Sequence, residues 1–370
     1  MLLKLVCSTS LSLFTLVTLS IKVSAPAYST IYLAQVNKAE LNNLLVVGKQ
    51  YVAEQNYDRA LATYQQAATL DRENPQIFSG IGYVQTLRQD YVGATEAYQQ
   101  AIKLAPDNPK LYYALGFALG SAGDNLAAAA AYEKAIELEP DNVQNYFGLG
   151  VVLARAEQFD RAISVYLDIL TLTPDSEEAA KTASRLLIKQ QRYSEAVAVL
   201  EPAIRLQPSA SDLRLNLAIA LLKQGEITSG LKALELAKKT APQNHRIYLQ
   251  TGNILYQQGE YERALSEYKW AARLKPESLA AIEGLGKVHL AQKNYSRAIV
   301  DFRRLTEIAP DNPVGYHNLG VALKSRDRTE EAIAALNQAL KLYQSKGEQA
   351  EVKQVAKLID EINSPDTTKN

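Results

Sequence analysis

A proline that recurs every 34 residues constrains the fold of this 370-residue chain more than any other feature. No insertion or deletion interrupts the period, which runs through Pro106, Pro140, Pro174, Pro208, Pro242, Pro276 and Pro310. Periods of roughly 20 to 50 residues are typical of chains in which one small unit is used many times and neighbouring units stack to bury their apolar faces. The sequence therefore predicts one repeat array in place of the two or three domains that the length alone would suggest.

Three further columns keep the same period and indicate the content of each unit. The first column holds glycine, with Ser184 and Ala218 as exceptions: Gly48, Gly82, Gly116, Gly150, Gly252, Gly286 and Gly320. The second holds alanine, with Gly230 as an exception: Ala60, Ala94, Ala128, Ala162, Ala196, Ala264, Ala298 and Ala332. The third holds a large residue: Tyr64, Tyr98, Tyr132, Tyr166, Leu200, Leu234, Tyr268, Phe302 and Leu336.

These columns predict a pair of helices in each unit. Apolar residues such as Tyr112, Leu115 and Leu119 recur at three- and four-residue spacing, which is typical of an amphipathic helix. Small residues let the two helices approach closely, and the large residue fills the space between them. The periodic proline is expected to end the second helix, and the asparagine or aspartate that follows it in several units favours the next helix start.

With these columns the chain resembles the tetratricopeptide repeat family over nine units that span residues 41–346. The resemblance implies an all-α fold, a right-handed superhelical solenoid of helix-turn-helix repeats. Residues 347–363 are predicted to form a C-terminal capping helix, because Val352, Val355 and Ile359 share one face. Residues 364–370 are predicted to be a disordered polar tail.

Residues 1–27 have the features of a secretory signal peptide. Lys4 precedes an apolar run of 17 residues, Leu5 to Ile21, and Ala25-Pro26-Ala27 provides small residues for cleavage. The run is also near the lower length limit for a membrane span, so an uncleaved anchor is the alternative. Residues 28–40 connect this segment to the repeats, with no structure assigned. Cleavage would remove the only cysteine and the only methionine, which suits export to the bacterial periplasm, or to the thylakoid lumen of a photosynthetic source.

Composition and motifs argue against several functional classes. Lys plus Arg and Asp plus Glu both number 40, so nucleic-acid binding is not expected. One cysteine and three histidines do not make a zinc site, and no cofactor or metal site is predicted. His289 is expected in the core, and His317 is expected near Glu283 as one ion pair of the binding surface. No catalytic residue is assigned, and the chain is predicted not to be an enzyme.

The resemblance implies a binding surface, because ligands of this family usually lie in the concave groove lined by the first helix of each repeat. Repeats 2 to 4 place aromatic and aliphatic residues there, and repeats 5 to 7 place basic and amide residues. The candidates are Tyr83, Tyr113, Phe117, Phe147, Val151, Lys181, Arg185, Asn216, Arg246, Gln250 and Asn253. In the alternative interpretation the aromatic residues pack against adjacent helices and the basic residues form a solvated face.

Some chaperone adaptors of this family hold a C-terminal carboxylate in a clamp of five residues. The matching positions here are Lys181, Arg185, Asn216, Arg246 and Gln250. Arg185 replaces an asparagine of the clamp and Gln250 replaces an arginine. These two departures weaken the case for a carboxylate clamp, although an acidic ligand still fits the remaining positive charge.

The function predicted from these features is a non-enzymatic protein–protein interaction scaffold or adaptor in the cell envelope. It would bind a segment of a protein or peptide partner in the groove and aid the assembly or stability of a complex. The alternatives are a membrane-anchored assembly factor, which retains the N-terminal segment, and the regulatory arm of an enzyme. Self-association is a further alternative, because repeats 1–4 have a net charge of −7 and repeats 5–9 a net charge of +7.

Overall fold

The computed structural model describes residues 26–364, with side chains from residue 38 onward, and every regular element in this range is an α-helix. The predicted signal segment lies outside the described residues except for Pro26 and Ala27, which begin the first helix. Residues 28–40, to which the sequence assigned no structure, continue that helix. Of the predicted polar tail only Ser364 is described, and it caps the last helix.

The chain divides into two compact units, the first ending at Leu138 and the second beginning at Glu139. The described part of the first unit contains α1 (Pro26–Ala53), α2 (Tyr57–Leu70), α3 (Pro75–Leu87), α4 (Tyr91–Leu104), α5 (Pro109–Ala122) and α6 (Asn125–Leu138). The described part of the second contains α7 (Val143–Arg155), α8 (Phe159–Leu172), α9 (Glu177–Lys189), α10 (Tyr193–Leu206), α11 (Ser211–Lys223), α12 (Ile227–Thr240), α13 (His245–Gln257), α14 (Tyr261–Leu274), α15 (Leu279–Ala291), α16 (Tyr295–Ile308), α17 (Pro313–Lys324), α18 (Thr329–Lys346) and α19 (Gln349–Asn363). The predicted all-α architecture of paired helices is confirmed. We call the odd-numbered member of each pair helix A and the even-numbered member helix B.

The periodic proline stands two residues after the end of helix B. Helix α4, for example, ends at Leu104, Ala105 leaves the helical conformation with φ −140° and ψ 71°, and Pro106 follows. A proline disfavours the helical conformation of the residue before it and cannot donate a backbone hydrogen bond, so the helix stops there. Asn108, two residues further on, accepts a hydrogen bond from the backbone N–H of Lys110 and caps α5.

The turn inside each pair contains one residue in the left-handed region. Glycine fills this position in three repeats, as Gly123, Gly225 and Gly259, whose φ values are between 77° and 95°. Six other repeats place a non-glycine residue there: Gln55, Gln89, Glu157, Gln191, Lys293 and Asp327, with φ between 58° and 62°. A side chain in this conformation costs about 1 kcal/mol, which these repeats accommodate because the helices on both sides fix the turn.

The core of each pair is formed where the glycine column of helix A meets the large residue of helix B. A Cβ atom at Gly82 would lie 2.8 Å from a ring carbon of Tyr98, and one at Gly116 would lie 2.9 Å from Tyr132. Cβ atoms are essentially never found closer than 3.0 Å to such a neighbour, so glycine is required for this approach. The tyrosines are almost fully buried against the alanines of the same pair. The sequence columns are therefore packing positions.

The last helix covers the apolar end of the second unit. Val355 of α19 is fully buried against a cluster that includes Leu336 and Tyr343 of α18. Val352, Ile359 and Ile362 pack around the same cluster. The predicted C-terminal helix is thus present, and its apolar face contacts α18. Within residues 26–364, no helix has both the length and the apolar character that a membrane span requires.

Candidate functional site

In the first unit, three of the predicted aromatic residues are exposed on A helices. Tyr83 of α3 is 51% exposed, and Tyr113 and Phe117 of α5 are 37% and 47% exposed. Tyr113 also contacts Tyr132 edge-on, with the ring centroids 5.6 Å apart. The groove interpretation and the packing interpretation each describe part of this result. Tyr113 packs against α6 of the same helix pair, and its ring is still partly accessible to solvent. Phe117 lies one helical turn after Tyr113, so the two form an exposed aromatic pair.

In the second unit, Phe147 and Val151 of α7 differ in accessibility. Phe147 is half-buried, contacts Tyr166 edge-on at 6.2 Å between ring centroids, and belongs to the cluster around Ile169. Val151, one turn further along, is exposed. Phe147 therefore contributes mainly to packing, and Val151 offers a small apolar contact.

Asn216 of α11 is buried and joins two A helices. Its Nδ2 atom donates to the backbone oxygen of Lys181, at 3.2 Å, and to Oγ of Ser184, at 3.0 Å. The side chain of Lys181 pairs with Glu178 of its own helix at 2.5 Å, and Arg185 is exposed. The amide of Asn216 thus serves the α9–α11 interface.

The five positions of the carboxylate clamp accordingly do not present five free donors. Asn216 donates to the neighbouring helix and Lys181 pairs with Glu178, as described above. Arg246 lies 3.9 Å from Asp212. Gln250 lines a cleft formed by α11, α13 and α15. Among the described residues, the only side-chain hydrogen bond between two clamp positions joins Nδ2 of Asn216 to the backbone oxygen of Lys181.

A cleft of about 650 Å³ lies on the A helices α11, α13 and α15 of the second unit. It is lined by Ile219, Leu222, Lys223, Gln250, Asn253, Ile254, Tyr256, Gln257, Tyr268, Ala280, Glu283, Gly284 and Lys287. Two residues predicted from the sequence, Gln250 and Asn253, are therefore brought together. The cleft combines aliphatic, amide and charged groups, which suits a polypeptide with both apolar and polar side chains.

The floor of the cleft is fixed by a core tyrosine. Tyr268 is buried, and its hydroxyl donates to Oδ1 of Asn253 at 2.8 Å. Burial raises the pKa of Tyr268 above its ordinary value of 10.0, so the hydroxyl stays protonated and remains a donor. The hydrogen bond occupies the carbonyl oxygen of Asn253 and leaves its amide N–H groups available to a ligand.

Charged groups stand on two sides of the cleft. Glu283 and Lys287, one turn apart on α15, form an ion pair. Lys223, at the end of α11, is exposed and makes no ion pair among the described residues. A carboxylate of a bound segment would find Lys223 free, whereas Lys287 would first have to leave Glu283.

Two of the three histidines, His289 and His317, pack against other side chains. Nδ1 of His289 lies 2.6 Å from Oδ2 of Asp301, and both residues are largely buried. His317 contacts Tyr343 edge-on at 6.3 Å between ring centroids, while Glu283 pairs with Lys287. The described part of the chain contains no group of three or more His, Cys, Asp or Glu residues placed to bind a metal ion.

Several cleft residues were not among the sequence candidates, although a signal for them exists. Ile219 and Lys287 stand at the ninth repeat position, as Phe117, Val151 and Asn253 do, whereas Leu222 stands at the twelfth, where no candidate was named. Tyr268 was assigned only to a packing column. The ninth repeat position could thus be predicted from the sequence, but not which three A helices would form a cleft.

Comparison with protein-family models gives several matches to the same family. One model, described as tetratricopeptide repeat, matches residues 113–177 and 249–313, and a second with the same description matches 187–251 and 289–357. A third, described as TPR repeat, matches residues 48–87 and 82–123. Together these matches extend over most of the chain. No curated protein sequence is significantly similar to it.

Comparison with solved structures gives matches at low sequence identity. A tetratricopeptide repeat protein from Parabacteroides merdae ATCC 43184 is 19% identical with a TM-score of 0.50, covering 68% of this chain and 100% of that one. Yeast Tom70 is 14% identical with a TM-score of 0.48, covering 88% and 96%. YrrB, a TPR protein with an unusual peptide-binding site, is 21% identical with a TM-score of 0.42, covering 51% and 97%. At these identities the first of them shows the fold alone.

Proposed function

Because this chain belongs to the tetratricopeptide repeat family, we propose that it is a scaffold that binds a segment of a partner protein in the cleft of α11, α13 and α15. Repeats of this family are generally non-enzymatic interaction modules, and their fold supports protein or peptide partners. The scaffold would hold the segment while a larger complex assembles, or would stabilise that complex afterwards.

The observation that carries this proposal is the mixture of groups in one open cleft. Gln250 and Asn253 offer amide groups that match the N–H and C=O groups of a polypeptide backbone. Ile219 and Leu222 offer apolar contact, and Lys223 offers an unpaired positive charge. A small-molecule site would be more enclosed and more apolar. The cleft therefore fits an extended or helical segment that carries apolar side chains and at least one carboxylate.

The exposed aromatic residues of the first unit supply a second contact area. Tyr83, Tyr113 and Phe117 are residue types that carry much of the binding energy of protein interfaces when a partner covers them. We propose that apolar side chains of the partner pack against these three rings. The two areas lie on different units.

Export to the cell envelope is part of the same proposal. Lys4, the apolar run that follows it and the small residues Ala25 and Ala27 support a signal peptide, which would direct the scaffold to the periplasm or the thylakoid lumen. The competing proposal is an assembly factor that keeps this segment as a membrane anchor. Sequencing the N-terminus of the protein isolated from its cells distinguishes them: a start at Tyr28 supports export, and a start at Met1 supports the anchor.

Affinity capture from a native extract tests the binding site. The bait is the whole chain, and the test variant combines Gln250→Ala with Asn253→Ala. We expect this variant to retain at most about a tenth of the partner, since each buried interfacial hydrogen bond contributes about 1 kcal/mol. Gln99→Ala with Gln100→Ala on α4, both exposed and outside the cleft, is the matched control and should capture the partner normally. Full capture by a correctly folded cleft variant would exclude this site.

A further inference from the structure

The B helices of the second unit carry a pattern that the cleft does not explain. In α10, α12 and α14, the same position of three consecutive repeats holds an exposed apolar residue, and the residue three positions later is an exposed base. The pairs are Pro202 with Arg205, Leu236 with Lys239, and Trp270 with Arg273. We call these six residues the α10–α14 surface. No other B helix of repeats 2 to 9 has this combination. The position of the apolar residue is polar or charged in each of them: Gln100, Lys134, Asp168, Arg304 and Gln338.

Two of the three apolar members are large and accessible. Leu236 is 42% exposed and Trp270, the only tryptophan of the chain, is 45% exposed. Trp270 is stacked on Tyr248, with ring centroids 6.0 Å apart and planes inclined by 26°. The hydroxyl of Tyr248 donates to the backbone oxygen of Pro242 at 3.0 Å. The indole is therefore held in place before any partner arrives, so binding would cost little side-chain entropy.

The basic members carry unused charge. Arg205, Lys239 and Arg273 make no ion pair and no hydrogen bond among the described residues, and Arg273 lies over the Trp270 ring with its Cζ 5.0 Å from the centroid. The nearby Lys238 behaves differently, because it contacts Glu235 at 3.1 Å and Glu267 at 2.6 Å. Lys238 therefore offsets one of the two negative charges of Glu235 and Glu267, and the exposed Glu201 beside Pro202 adds another, so the three free bases exceed the remaining acidic groups by one charge. The three free bases give the surface a net attraction for negative charge.

The two rows are parallel, which limits the shape of a partner. In each helix the base follows the apolar residue by three positions, or about 4.5 Å along the helix axis. A partner that crosses the three helices must therefore present apolar groups and carboxylates side by side along its length. An amphipathic helix with an apolar stripe flanked by glutamate or aspartate has this arrangement.

We propose that the α10–α14 surface is a second docking site, and that its occupant is an acidic amphipathic helix of a partner protein. None of its six residues lines the cleft of α11, α13 and α15. The scaffold therefore has two binding faces on one unit, one formed by A helices and one formed by B helices. This site does not depend on the function proposed for the cleft.

The single tryptophan provides a direct measurement on the whole protein. The probe is a synthetic helical peptide with leucines on one stripe and glutamates on both flanks, and the readout is the selectively excited fluorescence of Trp270. We expect a saturable shift of the emission to shorter wavelength as the indole leaves water. Joint replacement Arg205→Glu, Lys239→Glu and Arg273→Glu should weaken binding by about tenfold or more, because like charges then face each other.

Two variants and two further probes complete the experiment. Leu236→Ala keeps all charges and should also weaken binding, whereas Gln250→Ala with Asn253→Ala should bind the peptide like the wild type. The same peptide with lysine in place of glutamate should not bind. The proposal is overturned by a wild-type protein that gives no saturable response, or that responds equally to both peptides. The proposal is also overturned if phosphatidylglycerol vesicles shift the emission of Trp270 and the glutamate peptide does not. That result would assign the surface to membrane binding.

Discussion

Gly150 of α7 and Tyr166 of α8 are in direct contact, and a Cβ atom on Gly150 would lie 2.8 Å from Cζ of the tyrosine. The same two columns hold Ala218 with Leu234 and Ser184 with Leu200, so a Cβ atom is accommodated opposite leucine in two later repeats. It is not accommodated opposite every leucine, because a Cβ atom on Gly320 would lie 2.5 Å from Cγ of Leu336. The volume that the first column can hold therefore depends on the size and the placement of the large residue opposite it.

This relationship predicts the outcome of a double-mutant cycle. Gly150→Ala alone should lower the free energy of unfolding by about 1–3 kcal/mol, because the methyl group overpacks the interface. Tyr166→Leu alone should also destabilise, through the cavity it leaves. Their combination reproduces the Ala–Leu pair and should cost at least about 0.5 kcal/mol less than the sum. Urea denaturation measures all three, with the exposed Ser164→Ala as a neutral control; strict additivity would contradict the volume argument.

Glu157 offers a stabilising substitution. Its φ is 58°, in the turn position that glycine occupies in three other repeats. Glu157→Gly should raise the free energy of unfolding by about 0.5–1 kcal/mol, because the strain of a side chain in the left-handed region exceeds the entropy that glycine adds to the unfolded chain. The reverse substitution, Gly123→Ala at a φ of 95°, should destabilise. Thermal unfolding measures the melting temperature of each variant. A change in the same direction for Glu157→Gly and Gly123→Ala would refute the claim that a side chain is strained at this turn position.

Asn216 is expected to matter for stability through the interface between α9 and α11. Asn216→Leu removes both hydrogen bonds to the earlier repeat and leaves Oγ of Ser184 without this partner, so we expect a loss of about 1–3 kcal/mol. Ser184→Ala with Asn216→Leu removes both polar partners and should recover part of the loss. Denaturant unfolding measures the free energy of unfolding of each variant. If the double variant is no more stable than Asn216→Leu alone, the hydrogen bond between Asn216 and Ser184 is not what stabilises the interface.

Acid should weaken the second unit through His317. Burial lowers the pKa of His317 below its ordinary value of 6.5. Between that lowered pKa and 6.5 the unfolded chain therefore binds more protons than the folded chain, and the free energy of unfolding falls as the pH decreases through this window. His317→Gln should show a smaller fall in melting temperature over the same range. Burial raises the pKa of Asp301, which also changes stability with pH. Subtracting the profile of His317→Gln from that of the wild type cancels this contribution. Parallel pH profiles would contradict this role.

The sequence predicted the helix pairs well because the constraints are local. The proline at 106 and the asparagine at 108 act on their own turn, and Gly82 meets Tyr98 within one repeat. The exposure of Tyr83 and Phe117 likewise follows from repeat position. Such features depend on spacing, which the period preserves.

The binding surfaces were less predictable because they depend on neighbours from other repeats. Asn216 is buried since Ser184 and a backbone oxygen accept its amide, whereas Gln250 and Asn253 are left facing a cleft. An unbroken period of 34 residues also gives no sign that the chain divides after Leu138. Trp270 belongs to no packing column, so its significance appears only with Tyr248 and Arg273 placed around it.

Site-specific photo-crosslinking in the native cell tests the central claim, that a partner protein binds the cleft of α11, α13 and α15. A photoreactive residue replaces Gln257, which lines the cleft, and in a matched protein it replaces the exposed Gln99 of α4. The account predicts one crosslinked partner from position 257, lost when Gln250→Ala and Asn253→Ala are added, and no such product from position 99. The same products from both positions, or a partner that crosslinks at 257 regardless of the cleft substitutions, would contradict it.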